Sequence, residues 1–259
     1  MNMTSAQTAG WRGRRVLVAG GDGEIGRVIC ADLAAKGADI AIASIDAEAA
    51  EKLAASLANG GNRVAAHQAD ITDQDEAAGL ASRIAEQWGG IDVLINCAGI
   101  MRVSPALDFT AVDWRAVVET NLNAAFFISQ AVGRVMISAG TGGRMVHLSS
   151  VRGTVGLAIG GFAAYGTSKA GLHLLVKQLA AEWGQHQISV NAVAAGFVRS
   201  SLSSAAGQGF QAMVAARTPL GRVAEIQEVA AAASYLAGPD SSFITGQVLA
   251  VDGGLTATQ

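Results

Sequence analysis

Val16-Leu-Val-Ala-Gly20-Gly21-Asp22-Gly23-Glu24-Ile25-Gly26 is the stretch on which the fold turns. Val16–Gly20 reads as a short buried strand. A helical pattern runs from about Ile25 to Lys36, and Gly37 ends it. Gly21, Gly23 and Gly26 satisfy G-x-G-x-x-G in the strand–turn–helix setting that gives this motif its meaning. Glycine permits the tight turn and lets the backbone and a helix N-terminus come close to a pyrophosphate. The same glycines could simply turn a strand into a helix, or hold a flavin or another nucleotide.

Working outward, the pattern repeats. Strands are expected at Asp39–Ser44, Asn62–Gln68, Ile91–Asn96, Gly143–Ser149, Ile188–Ala194 and Gly246–Val251. Between them, helices are expected from the Asp46 N-cap to Asn59, over Asp73–Trp88, Ala111–Ser138 and Phe162–Gly184, and later over Ile226–Ala237. Residues 200–218 read as irregular or weakly helical, and residues 1–10 as a flexible tail. Strands alternating with helices imply right-handed crossovers and one α/β domain over 11–259, a parallel sheet covered on both faces.

Tyr165 and Lys169 stand four residues apart at the start of the fourth of these helices. On a helix that spacing puts a phenol and an ammonium on one face, about a turn apart. A nearby cation favours phenolate and brings a Tyr pKa of about 10 toward neutrality, as a general acid/base requires. With two Tyr and four Lys in 259 residues, chance would place such a pair in roughly 3% of shuffled chains.

Composition narrows the field. The chain is 51% hydrophobic and 15% charged, with a net charge of −3. It has ample core material and no basic stripe, so nucleic-acid binding lacks its electrostatic footprint. No uninterrupted apolar run reaches membrane-span length, and the polar start has no signal-peptide core. A cytoplasmic protein is expected, with Cys30 and Cys97 as free thiols. His67, His147, His173 and His186 show no ligand spacing, so no metal site is expected.

These features together resemble the short-chain dehydrogenase/reductase family, in its compact branch, from about Arg14 to Thr256. The resemblance implies a Rossmann-type sheet of about seven strands in the order 3-2-1-4-5-6-7. It implies an NAD(P)-dependent hydride transfer between nicotinamide and a carbonyl or secondary alcohol. The branch has T-G-x-x-x-G-I-G where this chain has Ala19 for Thr and Glu24 for the middle Gly. A carboxylate beside a pyrophosphate is unwelcome unless it points to solvent.

By the same resemblance, the catalytic group is Asn121, Ser150, Tyr165 and Lys169. The cofactor is expected to meet Gly20, Gly21, Asp22, Gly23, Glu24, Ile25 and Gly26, and then Ser44 and Ile45 at the end of the second strand. Asp70 and Ile71 match the pair placed against adenine, with a helix cap as the plain alternative for Asp70. Asn96, Ala98 and Gly99 stand in the family's N-N-A-G, where Cys97 replaces the second Asn. Gly196, Val198 and Ser200 match the nicotinamide segment, and Tyr165 and Lys169 serve the cofactor as well. Ser150 and Tyr165 are 15 apart, two more than the family spacing, so a bulge at the pocket mouth is expected.

Neither an acid nor a base stands at Ser44 and Ile45, and Asp46 reads as a helix cap. NAD is favoured over NADP because no Arg lies nearby. Leu157, Ile159, Phe162, Phe197 and the 197–218 stretch suggest an apolar substrate pocket under a lid. Arg102 and Arg152 could meet a carboxylate, though such arginines are more often solvated surface. The helices around Phe126 and Leu174 carry more apolar surface than one sheet face needs, and the resemblance implies that they pair across a two-fold axis in a homotetramer, or a homodimer. Two classes of function remain open: a carbonyl/alcohol oxidoreductase, either a 3-oxoacyl-thioester reductase or a small alcohol or sugar dehydrogenase, and a nucleotide-binding homologue with little turnover.

Overall fold

The computed structural model describes residues 10–156, 160–201 and 207–258. Most of the expected tail, Leu157 and Ile159, and residues 202–206 of the expected substrate loop therefore lie outside the described residues.

Seven strands form one parallel sheet: β1 (Arg15–Ala19), β2 (Asp39–Ser44), β3 (Val64–Gln68), β4 (Val93–Asn96), β5 (Gly143–Ser150), β6 (Ile188–Ala195) and β7 (Val248–Val251). Their order is β3-β2-β1-β4-β5-β6-β7, as expected. Among the described residues, eight α-helices follow in chain order: α1 (Glu24–Ala35), α2 (Ala47–Leu57), α3 (Gln74–Trp88), α4 (Ala111–Val118), α5 (Ala124–Ala139), α6 (Ala163–Trp183), α7 (Gly207–Arg217) and α8 (Ile226–Ala237). Within the stretch 200–218, read from sequence as irregular or weakly helical, residues Gly207–Arg217 form a helix.

The two-residue period of the strands sorts side chains into two cores. Leu17, Leu94, Met145 and Val190 pack on one face against Leu80 and Ile84 of α3, Ile128 and Val132 of α5, and Val176 of α6. Val16, Val18, Ile40, Ile95 and Val146 pack on the other against Ile29 and Leu33 of α1 and Val229 and Leu236 of α8. At about 25 cal/mol per Å² of apolar surface, each such side chain contributes roughly 2 kcal/mol on burial. Helix starts are set by short polar caps. Asp46 accepts from Ala49 N–H at 3.0 Å, Thr110 from Asp113 N–H at 3.0 Å, and Asp73 from Asp75 and Glu76 N–H. Asp73 thus caps α3, and the cap role considered for Asp70 does not apply.

The expected single helix 111–138 is not uniform. Between α4 and α5, residues Glu119–Asn123 form a widened π turn, where Ala124 N–H reaches back to Glu119 O. Asn121 lies inside it. The helical run Ala111–Ala139 is long and apolar enough to cross a membrane by length and composition. Its Val117, Ala124, Ile128, Val132 and Met136 are instead buried within the fold.

Candidate active site

Carboxyl ends of parallel strands, where helices depart to opposite faces, leave a crevice. Here that crevice is a cavity of about 860 Å³ between the glycine loop, the ends of β4, β5 and β6, and the start of α6. Ser150, Tyr165 and Lys169 all line it, as do Gly20, Gly23, Glu24, Ile25 and Gly26. Gly99, Gly196, Val198 and Ser200 complete that set.

One wall is built of fixed side chains. Ser150 ends β5 with extended backbone; its hydroxyl accepts from Arg152 N–H at 3.2 Å and donates to Ala195 O at 3.3 Å. Lys169 is 4% exposed, and its Nζ donates to Leu148 O at 2.9 Å. Burial lowers its pKa to about 8. Nζ stands 5.7 Å from the centre of the Tyr165 ring.

Tyr165 departs from the simple expectation. Desolvation in the cleft raises the phenol above its usual value, while a Ser150 hydrogen bond and the Arg152 charge pull it down. The cation acting on the phenol here is Arg152, one of the two arginines for which a carboxylate partner or a solvated surface position was expected.

Asn121 is buried and makes three side-chain hydrogen bonds. Its Oδ1 accepts from Ile100 N–H at 2.8 Å, and its Nδ2 donates to Ile100 O at 2.9 Å and to Ser168 Oγ at 3.0 Å. The amide therefore pins the 97–101 loop to α6. Asn in a helix interior carries a propensity cost, and the widened turn offers it this role instead.

The opposite wall is mostly backbone. Gly23 precedes α1 in an extended conformation without a side-chain cap, which leaves the first N–H groups of the helix to a ligand. A Cβ on Gly26 would lie 2.4 Å from Gly20 O, so the loop closes only on glycine. A bare helix N-terminus over a loop this tight fits a dinucleotide pyrophosphate. Glu24 does not point idly to solvent: its carboxylate accepts from Ser201 N–H at 3.0 and 3.2 Å, tying the glycine loop to the segment after β6. No spacing signal in the sequence marks that contact, since the partners are 177 residues apart.

The other expected cofactor residues are less united. Gly21 is buried against Ile42 and Cys30, and Asp22 gives its carbonyl to Arg27. Ser44 is buried and its hydroxyl accepts from Asp46 N–H at 2.9 Å, while Ile45 is exposed. Asp70 closes a local turn, accepting from Thr72 N–H and Oγ1, and Ile71 belongs to the core. Asn96 is buried; its Oδ1 accepts from Ala98 N–H at 3.1 Å. Cys97 lines the cavity, and burial pushes its thiol up to about 12, so it stays protonated. Among the described residues, no group of three His, Cys, Asp or Glu side chains could hold a metal ion.

Comparison with known proteins agrees with this architecture. A family model described as enoyl-(acyl carrier protein) reductase matches residues 19–256. Gluconate 5-dehydrogenase from Gluconobacter oxydans is 36% identical over 248 residues, covering 95% of this chain and 96% of that protein. Acetoacetyl-CoA reductase from Allochromatium vinosum is also 36% identical, covering 93% and 98%. The crystal structure of a short-chain type dehydrogenase/reductase from Mycobacterium marinum superposes with a TM-score of 0.91 at 30% identity, covering 98% and 99%.

Proposed function

The chain belongs to the short-chain dehydrogenase/reductase family and is an oxidoreductase of it, and we propose that it interconverts a carbonyl and a secondary alcohol with Tyr165 as general acid/base. The observation that carries this reading is the convergence of Ser150, Tyr165 and Lys169 in one cavity with the glycine loop. When bound, the nicotinamide cofactor supplies or accepts the hydride at the substrate carbon.

The residues do the rest. In reduction, the Tyr165 hydroxyl gives its proton to the oxygen of the former carbonyl, and Ser150 donates a hydrogen bond to that oxygen as charge develops. Lys169, held by Leu148 O, binds the nicotinamide ribose and restores the Tyr165 proton. The Asn121 side chain is fully engaged with Ile100 and Ser168, which leaves its backbone carbonyl to hold the relay water. The N-terminus of α1 takes the pyrophosphate, and Val198 and Ser200 take the carboxamide.

NAD is our choice of cofactor. Ser44 is occupied by the Asp46 N–H and Asp46 by its cap, and Arg27, which shares a surface pocket with Asp46, already donates to the Asp22 carbonyl. Exposed Trp114, Phe126, Ile137 and Leu174 on α4, α5 and α6 support a homotetramer, because apolar side chains clustered on neighbouring helices favour a covering partner. Thiols at Cys30 and Cys97 and a diffusible nicotinamide cosubstrate suit the cytoplasm.

Fluorescence titration with NADH and NADPH tests the reading. Binding of NADH below millimolar levels, tighter than NADPH, is expected. Absence of binding by either at millimolar concentration would overturn it in favour of a protein without turnover.

A further inference from the structure

Arg152 sits two residues beyond Ser150, in the turn Val151–Gly153 that leads from β5 toward α6. It is 9% exposed, although an arginine there reads from sequence as solvated surface. Its backbone N–H is held by Ser150 Oγ at 3.2 Å, and its Nη1 donates to Gly156 O at 3.2 Å. The guanidinium stacks 5.3 Å from the centre of the Phe197 ring. A Cβ on Gly153 would lie 2.6 Å from His173 and 2.7 Å from the Lys169 backbone, so the turn is seated tightly on α6. The side chain is therefore placed, not adrift.

What it lacks is an anion. Nη2 is buried and has no hydrogen-bond partner among the described residues. Among the described residues no carboxylate pairs with Arg152, whereas Arg15, Arg63, Arg102, Arg199 and Arg222 each have one. A buried cation without a counter-charge is costly, and a free Nη2 adds to that cost. Arg152 and Phe197 line the same cavity as Ser150 and Tyr165, so a ligand that meets Nη2 lies beside the reacting carbon.

We propose that Arg152 is a specificity-determining residue that binds a carboxylate on the substrate, making the substrates hydroxy or keto acids of single negative charge. The inference rests on the reading of the cleft as a carbonyl/alcohol site and adds the substrate class to it. One guanidinium, with Nη1 already engaged, matches a monoanion. A phosphate dianion would call for a second cation, and Lys169 is committed to Leu148 O. Arg102 is exposed and faces Asp113 at 3.7 Å, so it does not supply one.

The test uses non-reacting probes, so it does not depend on turnover. Binding of cyclohexanecarboxylate and cyclohexanecarboxamide is measured by calorimetry on the full chain, alone and with NADH. The carboxylate is expected to bind at least about tenfold tighter, the scale of one charged hydrogen bond. In Arg152→Gln the ratio falls to within about twofold, while Arg152→Lys keeps most of it. Equal binding of the two probes by the wild type overturns the proposal, as does a preference that survives Arg152→Gln. Should the Gln variant fail to fold, the wild-type ratio and its retention in Arg152→Lys decide the matter. Tyr165→Phe separates the two readings: it abolishes turnover and leaves the probe ratio intact, so either idea can fail alone.

Discussion

The two walls of the cleft hold their groups by opposite means. On the β5–α6 side, Ser150, Lys169 and Asn121 are buried side chains, each tied to a backbone atom of another element. On the glycine-loop side, Gly23 and Glu24 are exposed, and the groups proposed to hold the pyrophosphate are backbone N–H groups at the start of α1. The difference follows from the task. Proton transfer demands fixed distances and tuned acidity, which low dielectric and packing provide. A pyrophosphate needs only oriented N–H groups and close approach, which any sequence supplies if glycines let it. One wall tolerates few substitutions of side chain; the other tolerates many, provided the backbone path survives.

Four measurements would break or sharpen that contrast. Tyr165→Phe is expected to cut kcat by about 10³, the range of a lost general acid, with NADH affinity unchanged. Retained turnover would remove Tyr165 from the proton path and erase the division of labour.

Next comes the acid limb of stability, set by His147 in the catalytic wall. It is fully buried on β5; its Nε2 faces Ser129 Oγ at 3.2 Å, and that hydroxyl donates to Ala125 O. Its Nδ1 faces the Asn96 amide at 3.4 Å. The ring is therefore neutral, with the proton on Nε2, and burial lowers its pKa to about 4. The unfolded chain would protonate near 6.5. Below that pH the unfolded state binds more protons, so stability is full above about 6.5 and falls as pH drops toward about 4. The loss is up to about 3 kcal/mol at 1.36 kcal/mol per pKa unit. Denaturant titrations of His147→Gln should show a limb flatter by about that amount; an identical limb would mean the ring is not held neutral.

On the backbone wall, Gly26→Ala should weaken NADH by at least about tenfold, because its Cβ meets Gly20 O at 2.4 Å and the loop must open. Unchanged affinity would show that this loop does not carry the cofactor. The smallest effect is Glu24→Gln. Removing a charge at a helix N-terminus that receives a pyrophosphate, and weakening the hold on Ser201, should tighten NADH two- to fivefold at low salt. That is about 0.5–1 kcal/mol, and it should fade as salt screens the site. Weaker binding in this variant would instead make the Glu24–Ser201 contact an aid to cofactor retention.

Much of this was legible in the chain itself. Short apolar runs at residues 16–19 and 40–43, the first ended by glycine and followed by helical spacing, encode local geometry that neighbouring residues alone impose. The four-residue step from Tyr165 to Lys169 likewise needs only a helix to bring both to one face. The number of strands and the pairing of Tyr165 with Lys169 were within reach for that reason, whereas the sheet order and the roles expected of Asn121 and Ser150 came through the family resemblance. Contacts between distant segments were not. The π turn at Glu119–Asn123 depends on Asn121 finding Ile100 and Ser168, and the Glu24–Ser201 bond closes over 177 residues. The same limit left the choice between Arg102 and Arg152, and between surface and site, undecided. The composition and position of Arg152 resemble any surface arginine; only the packing of Phe197, Gly156 and α6 around it removes it from water and leaves one nitrogen unmatched. The sequence by itself determined the alternation of strands and helices and the placing of Tyr165 and Lys169 on one helix face, because these are written in local spacing. The tertiary structure alone decided which charges are desolvated, because desolvation is a property of everything packed around a group and not of the group.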